Sequence, residues 1–397
     1  VSYLALIMQT NRQLFLNHLA QTSDSPLLIE IDHAKGVYMY GKNNEKYLDL
    51  ISGIGVSTIG HCHPKVIQAV TNQASKYMHL MVYGEFVQTP QVELAVKLCS
   101  TLQQQLNSVY LVNSGSEATE GALKLAKRYT KRREIISCVN AYHGSSHGAL
   151  SVMGNEFFKQ SYRPLLPGIK HIHYNDIADL ERITEQTAAV IIETIQGEAG
   201  VRIAEKAYMK ALRKRCNYTG TLLILDEIQC GFGRTGTFWA FEKYEISPDI
   251  LLTAKGLGGG MPIGAFISSK EIMQTLSVNP VLGHITTFGG HPVSCSAAIA
   301  CMDIIKDENL IQSVEKKSQI FFNNLKHPAI KDIRRAGLMM AVEFESYAVL
   351  KKIIDKAILK GVLTDWFLFC DHSMRIAPPL IITENEILEA CQIISEC

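Results

Sequence analysis

The stretch VYLVNSGSEATEGALKLAKRYT, residues 109–130, runs from a β-branched segment through a turn of serine and glycine into a helical pattern. Ser114 stands at the turn with Glu117 three residues on, the spacing of a capping box. The N–H groups of Gly115 and Ser116 then face outward at the positive end of a helix dipole, where a phosphate is favoured. A capped helix after a strand explains the same residues without any ligand.

Working outward, the alternation continues through EIISCVN, AAVIIET, TLLILDE, DILLTAK and GAFISS with helical stretches between them. Short apolar strands alternating with helices predict an α/β fold, a mainly parallel sheet with helices on both faces. Ligand sites in such sheets form at the carboxyl ends of the strands, where the polar residues of these runs fall. From about Gly290 a second α/β portion follows, with helices at PVSCSAAIACMDII and YAVLKKIIDKAILK and strands at LMMAVEF and MRIAPP. The segment LLIEIDHAKGVYMYGKNNEKYLDL, residues 27–50, has hairpin character.

The chain has 397 residues, enough for two unequal domains. Hydrophobic residues at 47% against 19% charged describe an ordinary folded protein rather than a disordered or membrane one. A formal net charge of +1, with no run of five or six like charges, argues against nucleic acid and acidic lipid as partners and favours a small molecule. The ten cysteines lack short paired spacings and read as reduced thiols of a cytoplasmic protein. No apolar run reaches the length of a transmembrane helix. The opening VSYLALIM lacks the basic leader and cleavage pattern of a signal peptide, and Met8 reads as the start, with Val1 to Ile7 upstream of it.

Two further positions carry chemistry. Asp226 ends the apolar run TLLILD, where a carboxylate is costly unless a cationic group meets it. Strand-end acids also serve as metal ligands or helix caps. Lys255 ends DILLTAK and precedes GLGGG. Desolvation lowers a lysine's proton affinity and makes its amine a nucleophile able to form a Schiff base, although many strand-end lysines only reach to water. A phosphate cradle, an acid for a pyridinium nitrogen and a lysine for an aldehyde are together the parts that pyridoxal phosphate requires.

The motifs NSGSEATE, YHG, ETIQGEAG, LDEIQCGFGRTG, TAKGLGGG, TFGGHP and RIAPPL, in this order, resemble the class III aminotransferases of fold type I, the group of acetylornithine, ornithine and 4-aminobutyrate aminotransferases. The resemblance runs from SGIGVSTIGHCHP to APPLIITENEI. It implies a large domain built on a mainly parallel seven-stranded sheet plus a smaller α/β domain, with residues 46–288 in the large domain, 289–397 in the small one and 1–45 joining the latter. It implies pyridoxal 5'-phosphate as cofactor and transfer of an amino group from an amino acid or ω-amine to 2-oxoglutarate, or the reverse with glutamate, by a ping-pong mechanism.

Carried over residue by residue, the resemblance assigns Lys255 to the cofactor aldehyde and to proton transfer, and Asp226 to the ring nitrogen. Gly115 and Ser116 go to the phosphate, Tyr142 and His143 to the YHG segment over one ring face, Ile228 to the other face and Gln229 to the phenolic oxygen. Thr287 is implied to add a hydroxyl from the neighbouring subunit of a homodimer. Arg375 is implied to grip the substrate α-carboxylate, and Glu198 to pair with that arginine when no such carboxylate is present.

The chain departs from this pattern at AYHGSSHGALS, residues 141–151, where Ser145 stands in place of an arginine that holds a substrate carboxylate. Either His147 or another group substitutes, or the donor's carboxylate is held elsewhere, or the donor has none at that distance; acetylornithine is therefore not the expected donor. Gly53 stands near the place of the ornithine-type tyrosine, and Thr194 where proline is common. The alternative on the same parts is a racemase, epimerase or aminomutase. The histidine pairs His61/His63, His143/His147 and His171/His173 invite a metal, but no cysteine or carboxylate set completes four ligands, and no metal is expected.

Overall fold

The computed structural model describes residues 10–397 apart from position 83; the opening run with Met8 lies outside the described residues. The N-terminal hairpin forms as read. Strands β1 (Ile31–Lys35), β2 (Tyr38–Gly41) and β3 (Lys46–Asp49) are successively antiparallel. Lys35 faces Tyr38, so the loop is the two residues Gly36 and Val37, and Gly36 takes the positive φ (60°) that its first position in such a turn demands.

Seven strands make the central sheet: β4 (Ser108–Val112), β5 (Glu134–Cys138), β6 (Ile169–Ile172), β7 (Thr187–Glu193), and, after a short hairpin β8 (Ile195–Gln196) and β9 (Arg202–Ile203), β10 (Leu222–Asp226), β11 (Ile250–Thr253) and β12 (Gly264–Ser268). Their order is β4-β12-β11-β10-β7-β5-β6, with β12 antiparallel to both its neighbours. The unbroken apolar runs have a two-sided cause. Val190, Ile192, Leu223 and Leu225 enter one hydrophobic cluster, while Ala189, Ile191, Leu222 and Ile224 enter the other. Helices cover both faces, so neither half of the alternation can be polar.

The helix Gly115–Thr130 buries Ala118, Ala122, Leu125 and Ala126 in the second cluster. Its start differs in one detail from the capping box. Ser114 Oγ accepts the Glu117 N–H at 3.2 Å, but the Glu117 carboxylate accepts the N–H of Asn113 (2.9 Å) and the Asn113 side-chain amide (2.8 Å), closing the box one residue early.

The C-terminal portion contributes β13 (Asp332–Ala336), β14 (Met339–Glu343), β16 (Asp365–Phe367) and β17 (Cys370–Ile376) to an antiparallel sheet ordered β13-β14-β17-β16, while β15 (Val362–Leu363) crosses to pair in parallel with β3. The histidine pairs are not presented as pairs. His61 contacts Asp49 and His63 contacts Glu308, and only His171 of its pair lies on a strand. All ten cysteines are unpaired, and among the described residues no helix is long and apolar enough to cross a membrane.

Candidate active site

At the carboxyl ends of β5, β7, β10 and β11 a cavity of about 410 Å³ opens, lined by nine of the sequence-predicted residues: Gly115, Ser116, Tyr142, His143, Glu198, Asp226, Ile228, Gln229 and Lys255. Such a volume is that of a small-molecule pocket. Arg375 lies behind Glu198, outside this lining, and Thr287 is exposed and apart from it.

Lys255 follows β11 and takes a positive φ of 42°, a left-handed conformation that costs a non-glycine residue and marks functional positions. Burial lowers its ammonium below the ordinary lysine range. Glu198 opposes that shift, Arg375 adds to it, and Asp226 and Glu193 oppose it.

Asp226 is buried at the end of β10 and does not lack partners. Oδ2 lies 2.7 Å from His143 Nδ1 and Oδ1 accepts the Ile228 N–H at 2.9 Å. His143 therefore stands beside the carboxylate as its support, and its Nε2 is buried without a hydrogen-bond partner among the described residues. Asp226 sits in register with Glu193 of β7, so two carboxyl groups occupy neighbouring strand ends. Burial, and then the charge of Asp226, raise Glu193 well above the carboxylate range. Glu193 accepts the N–H of Tyr142 (3.0 Å) and of Gly197 (2.9 Å), tying the aromatic segment to the loop that carries Glu198.

Ser114 takes up the Glu117 N–H, and the N–H groups of Gly115 and Ser116 belong to the first turn, which has no helical acceptor for them. Ile228 packs on Gly115, where an added Cβ would lie 2.8 Å from Ile228 Cδ1. Ser116 Oγ accepts the Ser145 N–H, and Gly144 passes so close that a Cβ there would fall 2.0 Å from Ser116 Oγ, at a φ of 121°. Gly144→Ala is accordingly expected to cost about 1–3 kcal/mol and to loosen this turn, read as a lowered urea midpoint; an unchanged midpoint would refute it.

The fourth element is a buried ion pair. Arg375 Nη1 and Nη2 donate to Glu198 Oε1 (2.9 Å) and Oε2 (3.0 Å), and Arg375 Nε donates to Asp365 Oδ1 (2.9 Å). Gln229 Nε2 donates to Glu198 Oε1 at 3.1 Å. Burial alone raises the Glu198 carboxyl, but the Arg375 guanidinium outweighs it and holds the group down to about 2.

Sequence reasoning missed Glu193, Asp365 and the role of His143. Glu193 was within reach, since it ends AAVIIE as Asp226 ends LLILD. Asp365 was not, because its tie to Arg375 exists only through the β16–β17 register.

A desolvated amine, a buried carboxylate and a helix start with outward N–H groups converge on one pocket between Ile228 and Tyr142, and this donor set fits pyridoxal phosphate. Fold and pocket thus define a fold type I enzyme that uses this cofactor for chemistry on amines. The chain belongs to the aminotransferase class-III family, whose model matches residues 19–397. It is similar to the acetylornithine aminotransferase of Methanocaldococcus jannaschii, 40% identical over 375 residues that make up 91% of each chain. Among solved structures it is similar to the ornithine aminotransferase of Toxoplasma gondii, with 30% identity, a TM-score of 0.91 and coverage of 99% of this chain and 96% of the other. A second structure of that Toxoplasma enzyme, described with pyridoxal phosphate partly occupying its active site, matches at 31% identity and a TM-score of 0.90 over 97% of this chain and 92% of the other. The protein is therefore a pyridoxal-phosphate-dependent aminotransferase. The relatives transfer amino groups, which decides for transfer over the racemase, epimerase or aminomutase alternative.

Proposed function

We propose that the enzyme moves an amino group from a primary amine or amino acid to 2-oxoglutarate, or in reverse from glutamate, in two half-reactions at the 410 Å³ cavity. The observation that carries this reading is Lys255 and Asp226 in one cavity whose lining includes Glu198, with Arg375 paired to it from behind.

When bound, pyridoxal phosphate supplies an electron sink for the charge left on a carbon that loses its proton. Lys255 Nζ would hold the cofactor aldehyde and, once displaced from it by the donor's own amine, would be free to take the proton from the donor carbon, a task that burial suits by weakening its hold on a proton of its own. Asp226, oriented by His143 and the Ile228 N–H, presents a carboxylate for the ring nitrogen. Gly115 and Ser116 would bind the phosphate through their N–H groups, Tyr142 and Ile228 would flank the ring, and Gln229 would serve the phenolic oxygen. Arg375 binds the 2-oxo acid carboxylate once Glu198 leaves it, and Glu198 neutralises the arginine otherwise.

The proposal includes a homodimer in which Thr287 reaches the partner's phosphate. The exposed Ile285 and Phe288 beside it support burial against a second copy. It also includes a cytoplasmic location and the division into residues 1–45, 46–288 and 289–397; the sheet β1-β2-β3-β15 supports joining the N-terminal segment to the C-terminal portion, although β3 (Lys46–Asp49) falls just beyond the first boundary.

The test is the visible spectrum of the holoenzyme with glutamate alone. Loss of the lysine-bound cofactor band, and its return on adding 2-oxoglutarate but not buffer, is the expected result. A band that persists at saturating glutamate would sink the proposed pair.

A further inference from the structure

The cavity lining holds more acidic than basic side chains, although burial raises Glu193 well above the carboxylate range and Glu198 is paired with Arg375. Asp226, Glu193 and Glu198 line it, Lys255 is the sole lysine or arginine of the lining, and His143 is engaged with Asp226. Arg375 has its Nη1, Nη2 and Nε committed to Glu198 and Asp365, and Nη2 also donates to Trp366 O at 3.2 Å. Among the described residues that line the cavity there is no arginine.

Beside Tyr142 the chain turns at Ser145, whose N–H donates to Ser116 Oγ and whose hydroxyl lies 3.1 Å from Tyr142 Oη. Glu120 locks the turn that follows, accepting from Ser146 Oγ (2.7 Å), Gly148 N–H (2.7 Å) and Ala149 N–H (3.1 Å). The basic side chains that follow Ser145 in sequence are committed elsewhere. His147 Nε2 lies 3.0 Å from Pro164 O, Lys159 Nζ donates to Met153 O at 2.8 Å, and Arg163 donates to Glu156 at 2.9 and 2.6 Å.

The same region carries an aromatic row. The ring of Phe369 lies 6.4 Å from that of Tyr142 and 5.3 Å from that of Phe158. Its N–H donates to the Glu198 backbone O (3.0 Å), and the preceding Leu368 N–H donates to Glu198 Oε2 (3.2 Å), so the segment carrying Phe369 is tied to Glu198 by its backbone and, at Leu368, by the side chain that closes Arg375.

Resting on the transaminase reading, we infer that the amino donor is a primary amine whose distal portion is uncharged and apolar, packed along Tyr142, Phe369 and Phe158, with Phe369 and Ser145 as specificity-determining residues. A carboxylate placed there finds no lysine or arginine in the cavity lining other than Lys255, so it pays desolvation without return. An apolar tail gains contact area and leaves Glu198 on its arginine.

The test compares 3-phenylpropylamine with 4-aminobutyrate and N-acetylornithine as sole donors to the holoenzyme, following loss of the visible cofactor band. The neutral donor is expected to react with a second-order rate constant roughly 10- to 100-fold the larger. Phe369→Ala should remove most of that advantage, and Ser145→Arg, at an exposed position, should shift it toward 4-aminobutyrate. Calorimetry with the unreactive alcohols 3-phenylpropan-1-ol and 4-hydroxybutyrate should show the same ranking in affinity. Faster reaction of either carboxylate donor, or tighter binding of 4-hydroxybutyrate, overturns the inference and leaves amino transfer standing. A band unmoved by every donor and by glutamate overturns the transaminase reading itself, and the calorimetry still decides the apolar tail.

Discussion

A Lys255→Ala enzyme is expected to lose on the order of 10⁵-fold in steady-state transamination, since removing the nucleophile of a concerted set costs most of what the set provides. Lys255 is the one primary amine in the cavity lining, and neither Ser116 nor Tyr142 can hold an aldehyde or receive the donor's proton in its place. The fold should survive, because the charged end is buried at a cost and position 255 keeps its left-handed turn with either residue. Turnover with a donor and 2-oxoglutarate, alongside a thermal melt, separates the two effects. Retention of turnover within tenfold of the parent would show that the lysine is not the group that acts.

The second large effect concerns stability. Arg375→Ala strands the buried carboxylate of Glu198 and the partly buried one of Asp365, and is expected to cost about 3–5 kcal/mol, the penalty for breaking rather than replacing a buried ion pair. The pH dependence follows from the pair. Glu198 is held at about 2 in the folded protein against an ordinary 4.5, so its folded pKa is depressed. That difference is worth about 3 kcal/mol, fully present above the unfolded value and lost as pH falls from the unfolded value through the folded one. Asp365, which burial raises despite Arg375, works in the opposite direction. Urea midpoints from pH 7 down to pH 2.5 should fall for the parent. They should fall less steeply for Glu198→Gln, whose single amide oxygen keeps one hydrogen bond from the arginine and which has no proton to gain. Equal slopes would remove Glu198 from the account.

Both expectations rest on residues named before any fold was known, and the reason is local. Lys255 and Asp226 are polar residues at the ends of apolar runs, and a strand's end is where a buried sheet meets its ligand. Their places are decided by which neighbours along the chain are apolar, so they are legible in one dimension. The same holds for the helix start at Ser114, although Glu117 reaches Asn113 instead of the residue the spacing suggested. Reading Glu198 and Arg375 as a pair needed the family resemblance, because 177 residues separate them and no spacing joins them.

What the sequence by itself determined was the α/β alternation, the strand-end chemistry and, through its ordered motifs, the family. Each depends on contacts between near neighbours or on short patterns. What only the tertiary structure decided was which polar groups share a low-dielectric space. Glu193 and Asp226 become neighbours through the β7–β10 register, Asp365 meets Arg375 through β16 and β17, and Phe369 is fixed by the backbone of Glu198. A charge's energy depends on what lies within a few ångströms after folding, whatever the separation along the chain, so the pairing of the cavity's carboxyl groups and the aromatic row beside Ser145 become readable only once those strands are paired.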